Sequence, residues 1–258
     1  MRKWAIIVAA QLLAGCQPPP DAVQTASAAA HKAADQLVTL GQASITSGQP
    51  PRQTDPAAGP LLDAVFNTAP LQGAAPPSSD LDAVNDWLLS TVRVGQIYLL
   101  AGTGMTDVSA ASANAAAAAR INQNVVAFAP ECGRFIDAEL AIEGADASAT
   151  VQYLAANPDA LKDATASQGF DKARSGLVQT AQGVITTLAA GGLPNDWREA
   201  RASSLVAFAP HAAAFITDAQ KQTLSTAAMQ AAAATADDPQ LAVLLNQFAA
   251  AIVAKPAS

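Results

Sequence analysis

About a quarter of the residues are alanine, and no window of the chain alternates β-branched with polar residues. Alanine is the strongest helix former and is depleted in strands. A chain written this way is confined to helices, because a half-buried sheet needs a period-two pattern that it lacks. Aromatic residues make up only 5% of the chain. The core must therefore come from Leu, Val, Ile and close-packed Ala, which lets helix axes approach at the short end of the usual 8–10 Å. A length of 258 residues allows one or two such domains.

Helix signals run nearly end to end. Gln17-Pro18-Pro19-Pro20 is a stiff spacer. Residues 21–46 read as one helix with Val23, Ala30, Ala33, Leu37 and Leu40 along one side. Residues 47–79, rich in Pro, Gly, Ser and Gln, read as a linker with a short helical candidate at 60–67. Further helices are predicted over 80–101, 107–128, 130–143, 147–156, 159–190, 195–208, 210–236 and 240–254, punctuated by Gly102, Gly104, Gly144, Pro158 and Pro239. Val126-Ala-Phe-Ala-Pro130 recurs as Val206-Ala-Phe-Ala-Pro210, and Phe135-Ile136 recurs as Phe215-Ile216 at the same offset. Phe and Pro are not the over-used letters here, so the match reads as duplication. The expected fold is an all-α bundle of two roughly 80-residue helical repeats, preceded by a helical and Pro-rich N-terminal arm.

The first residues carry a separate signal. Arg2 and Lys3 form a positive n-region, and Trp4–Leu13 form an apolar stretch of secretory length. Leu13-Ala14-Gly15-Cys16 follows. This resembles the lipobox of bacterial lipoproteins at every position. The resemblance covers the signal and lipobox, and no family is recognised for the helical body. It implies a diacylglyceryl thioether on Cys16, cleavage before Cys16 and acylation, with palmitate or a similar chain, of the freed amine. Gln17, where Asp commonly retains such proteins at the inner membrane, implies the periplasmic face of the outer membrane. The domain reading is residues 1–15 as signal peptide, 16–79 as lipidated cysteine, tether, long helix and linker, and 80–258 as the duplicated helical domain. Two or more acyl chains would hold the protein on a membrane without a spanning helix.

Composition removes several function classes. A net charge of −7 and the absence of a basic run argue against nucleic acid as a partner and against an electrostatic grip on anionic lipid. With Cys16 lipidated, Cys132 stands alone, and no intramolecular disulfide framework is expected. His31 and His211 are the only histidines, in no metal-binding spacing. No metal and no cofactor is expected. Asp82/Asp86 and Glu139/Glu143 are i,i+4 carboxylate pairs, read as solvated acidic faces.

There is no Gly-x-Ser-x-Gly elbow, and Gly102-Thr-Gly104 follows a helix rather than a strand. Cys132 lies in a helix's first turn beside Glu131 and reads as an inert packing thiol; Glu131 and His211 occupy equivalent places in the repeat and read as exposed polar residues. No catalytic residue is assigned, so Cys16 is the one site residue. The expectation is a non-enzymatic, lipid-anchored envelope protein with an interaction or scaffold domain and an envelope protein as partner. The alternative is a periplasmic carrier that holds a small apolar or lipidic ligand between the repeats, lined by Phe128, Phe135, Phe208 and Phe215. The sequence does not set the oligomeric state.

Overall fold

The structure is a computed structural model that describes residues 20–72, 76–235 and 237–254. Cys16 and the signal segment 1–15 lie outside the described residues. The elements in order are α1 (Pro20–Gly41), α2 (Ser44–Ser47), α3 (Gly59–Phe66), α4 (Leu81–Leu99), α5 (Val108–Ala113), α6 (Ala115–Ala127), α7 (Ala129–Ala156), α8 (Ala164–Ala189), α9 (Asn195–Phe215), α10 (Asp218–Ala234) and α11 (Pro239–Val253), with short 3₁₀ turns at Ala69–Leu71, Ser78–Asp80 and Pro158–Lys162. There is no strand among the described residues. The protein is an all-α bundle, as the alanine content dictates.

The chain divides into two compact units. The first joins residues 21–70 to 83–139, and the second joins 71–82 to the chain from 140 onward. Each holds one copy of the Val-Ala-Phe-Ala-Pro sequence. Residues 21–70, read from the sequence as part of an arm and linker, are part of the first unit. Within the first unit, α1 buries Val23, Ala30, Ala33, Ala34 and Leu37, and Ser27 Oγ donates to the Ala83 carbonyl at 2.6 Å. In the stretch expected to be a linker, α3 buries Leu62, Val65 and Phe66, and the fully buried Trp87 donates its indole N–H to the Val65 carbonyl at 3.0 Å. Pro and Gly mark turns here, but the apolar residues between them fill core. Gly41 lies against Ile97, where an added Cβ would sit 2.6 Å from Cγ2, so α1 meets α4 closely.

The second unit packs α8 against α9 and α10, and α11 against α9 and α10. The apolar last helix is core: Leu241, Leu245, Phe248 and Ile252 are buried, each contributing roughly 1.5–3 kcal/mol. Ser225 Oγ donates to the Ala249 carbonyl at 3.0 Å, a contact between α10 and α11. Arg198, only 4% exposed, ties the start of α9 to Asp237 and Asp238, both at 3.3 Å. Asp238 in turn caps α11 by accepting from the Leu241 N–H.

Helix boundaries depart from expectation where capping chemistry or packing overrides composition. The predicted 107–128 helix splits at Asn114, whose side chain accepts from the N–H groups of Ala116 and Ala117 and starts a new helix. Gly144 does not stop α7; Phe208 and His211 of α9 lie over it, and a Cβ there would be in ordinary contact at 3.5–3.6 Å. The repeated pentapeptide takes two backbones. In the first copy the helix breaks at Phe128 (φ −117°, ψ 33°), and Pro130 sits in the first turn of α7. In the second copy α9 runs through Pro210 and ends at Phe215, where the Thr217–Gln220 capping box starts α10.

Candidate functional site

In the first unit a buried polar knot surrounds Cys132. Glu131 is 3% exposed, not surface-borne as its place near a helix start implies. Its Oε1 accepts from the Gln53 N–H at 2.9 Å, and Oε2 lies 3.5 Å from the Arg52 guanidinium. Arg52 also lies over the Phe128 ring at 4.4 Å and donates to the Ala127 carbonyl at 3.2 Å. Tyr98 packs edge-on against Phe128 and donates its hydroxyl to the Pro51 carbonyl at 2.9 Å. Arg134 bonds Gln53 and pairs with Asp63 at 2.8 Å. Glu131 and Arg134 thus clip residues 51–63 onto α7. Burial first, and then the neighbouring Glu131 charge, push the Cys132 thiol up to about 12 and raise the Tyr98 hydroxyl as well. The thiol is 1% exposed and its raised pKa favours the protonated form, the setting of a packing group.

His31 lies on an exposed part of α1, 3.4 Å from Ser90 Oγ and 3.7 Å from Asp35. Asp35 also pairs with Arg93 at 2.9 Å. Beside this pair opens a pocket of about 360 Å³, with Val38, Ile45, Ile97 and Leu100 as its apolar part and Gln42 and Gln96 among its polar groups. One rim is held in place by backbone: the N–H groups of Gly102 and Gly104 donate to the carbonyls of Ser44 and Ile45 at 2.9 Å. Gly102 and Gly104 have φ of 69° and 71°, which a side chain would strain. The buried Asn124 braces the same loop by donating to the Leu99 and Ala101 carbonyls.

The second unit gathers titratable groups on two adjoining faces of α7. Toward α8, Glu143 Oε1 accepts from Thr180 Oγ1 at 3.0 Å. The residue keeps a minor exposed part, but Oε2 is shut off from solvent with no hydrogen-bond partner. Desolvation is the main cause that lifts Glu143 to about 7, opposed by the Thr180 hydrogen bond and aided by the Asp146 charge. Asp146, one turn on, rises to about 6 by burial alone. Toward α9, Ser148 Oγ and His211 Nδ1 share a 2.7 Å hydrogen bond. Desolvation lowers the His211 pKa, so the ring is neutral at pH 7.

A serine beside a neutral imidazole resembles the start of an acyl-transfer site, but Ser148 lies in the interior of α7, where neighbouring N–H groups are spent on the helix ladder and cannot form an oxyanion hole. Among the described residues no group of three or more His, Cys, Asp or Glu is placed to hold a metal ion.

Sequence reasoning singles out His211 and Cys132 but misses Ser148, Asp146 and Thr180, and it takes Glu143 as half of a solvated pair. Asp82 and Asp86 are indeed exposed. The available signal is that residues 138–150 hold three carboxylates and no Lys or Arg. The four phenylalanines expected to line a cavity are buried packing groups: Phe128 under Arg52, Phe135 against Gly95, Phe208 against Gly144 and Phe215 under Arg174.

Comparison with protein-family models, with curated proteins and with solved structures finds no match to this chain.

Proposed function

We propose that the chain is a bacterial envelope lipoprotein, anchored through lipid on Cys16, whose helical body is a non-catalytic interaction module. The observation that carries the reading is Leu13-Ala14-Gly15-Cys16 placed after a positive and then an apolar segment. The packing of α1 adds to it. Val23 is already core, 1% exposed. The chain from Cys16 to Val23 spans at most about 25 Å. An anchor at Cys16 therefore seats the body close against the bilayer rather than on a long arm. No described helix is long and apolar enough to cross a membrane, so lipid would be the attachment. The protonated Cys132 thiol and the helix-bound Ser148 support a role without catalysis.

The test is fractionation of cells that express the native chain or Cys16→Ser. The native chain is expected in membranes, resistant to salt and released by detergent, with radiolabelled palmitate incorporated. Cys16→Ser is expected in the soluble fraction without label. A variant that stays with membranes would overturn the anchor. The pocket beside Ile45 and Ile97 favours a second reading, a carrier of a small apolar or lipidic ligand, with its site inside the first unit rather than between the repeats. Native mass spectrometry of the detergent-solubilised chain separates the two readings: a co-purifying small molecule supports the carrier, and a ligand-free mass supports the interaction module.

A further inference from the structure

Glu143 and Asp146 stand out as two desolvated carboxyl groups on one helix face, Glu143 with one oxygen shut off from solvent and without a hydrogen-bond partner. They lie one turn apart on α7, so their side chains neighbour each other. Leu140, Ile142, Ala145, Ala147 and Ala149 are buried around them in sequence, and Leu177, Ala181 and Val184 are buried on α8, which supplies Thr180. The groups acting on Glu143 are the Thr180 hydroxyl from α8 and Asp146 on its own helix. Those acting on Asp146 reduce to burial itself. His211, from α9, meets the adjoining face of α7 at Gly144 and Ser148. The basic residues of α8 lie elsewhere: Arg174 is spent on Asp171 and on the Phe215 carbonyl, and Lys172 is exposed.

We propose that Glu143 and Asp146 are a proton-controlled latch that holds α8 onto α7, closed while the two carboxyl groups keep their protons and loosened once they ionise. The Thr180 hydroxyl satisfies only one Glu143 oxygen. Oε2 is left with no donor, which a neutral carboxyl tolerates far better than a carboxylate does. Ionising both groups adds like-charge repulsion across one helical turn. Freeing α8 from α7 returns both carboxylates to water and relieves both costs.

The direction follows from linkage. An acid whose pKa is higher in the closed state than in the open one binds more protons when closed, so the closed state weakens as pH rises. The window runs from the ordinary carboxylate range, near 4.5, up to about 7 for Glu143. Between pH 5 and pH 7.5 the closed-to-open ratio should fall by about 50-fold from Glu143 alone. His211 acts in the opposite sense and below its ordinary value, because its pKa is lowered in the folded chain. A body carried outside the cytoplasmic membrane meets the pH of its surroundings. That consequence rests on the function proposed above, but the latch does not.

The test is hydrogen–deuterium exchange of the full chain in detergent between pH 5 and pH 7.5, with each peptide normalised to its unfolded exchange rate at that pH. Protection of the α8 peptides is expected to fall by about 50-fold or more as pH rises, the excess coming from Asp146. Glu143→Gln, which keeps an acceptor for Thr180 and cannot ionise, should remove the Glu143 share and leave only the smaller pH dependence that Asp146 contributes. Equal pH dependence in the native chain and the variant would overturn the latch. Should the variant fail to fold, carboxyl-carbon NMR of the native chain decides, since it has only four glutamates, Glu131, Glu139, Glu143 and Glu199. A Glu143 midpoint near 7 supports the latch, and one near 4.5 refutes it. Loss of the Cys16 anchor would leave either result standing, so failure of the latch and failure of the lipoprotein reading are separately visible.

Discussion

The same substitution, glycine to alanine, should have opposite effects at two helical positions. At Gly95 in α4 an added Cβ would lie 2.4, 2.5 and 2.7 Å from Cε2, Cδ2 and Cζ of Phe135. Carbon atoms settle at about 3.5–4.0 Å, so the ring must retreat by roughly 1 Å. Phe135 is 7% exposed, and its retreat displaces other core groups. Such overpacking costs about 1–3 kcal/mol, against roughly 1 kcal/mol gained because alanine is the better helix residue. The net effect of Gly95→Ala is a loss of up to about 2 kcal/mol, or up to about 8 °C in Tm for a chain of this size. Gly176 lies inside α8, and an added Cβ there would meet nothing within 4 Å, so only the helix gain remains. Gly176→Ala should raise the melting temperature by about 1–4 °C.

Scanning calorimetry on the native chain and both variants provides the comparison. A Phe135→Leu background adds a check, because the cost of Gly95→Ala should shrink there by about 1 kcal/mol if the ring is what it strikes. An equal rise in melting temperature for both single variants would refute the placement of Phe135 against α4.

Two further outcomes are expected from the first unit. At pH 8 Cys132 should resist maleimide in the folded chain and label fully once denaturant is added, since the thiol is 1% exposed and pushed up to about 12; labelling of the folded chain at the unfolded rate would contradict this. Arg52→Ala, which strands the buried Glu131 carboxylate, should cost about 2–3 kcal/mol in denaturant unfolding and open residues 47–58 to protease. A cost below about 0.5 kcal/mol would show that the half-exposed Arg52 contributes nothing to the clip.

The helical class is legible because alanine content and Asp, Asn or Thr at helix starts speak to purely local physics. Asp107, Asn114, Asp163, Thr217 and Asp238 all cap helices through their side chains. Residues 47–70 are illegible for the opposite reason. Their Pro, Gly and Ser describe the turns, while what fixes the segment is long-range: the Trp87 indole on Val65, Glu131 on Gln53, and Arg134 on Asp63. Nor can periodicity reveal the latch. Glu143 sits four residues from Glu139 like any exposed acidic pair, and only the placement of Thr180 against it separates the two.

The first unit is assembled from two stretches of chain, 21–70 and 83–139, with residues 71–82 between them belonging to the second. During synthesis, N-terminus first, α1 and α3 emerge before the surfaces that cover them. Ser27 and Gly41 of α1 meet Ala83 and Ile97, Val65 of α3 waits for Trp87 of α4, and Phe66 waits for Arg134 of α7. Closing those distant contacts is slow compared with forming the helices themselves. The early half of the molecule therefore stays open until the chain up to residue 139 has arrived, whereas α8 to α11 find partners among near neighbours in sequence and can set as they appear.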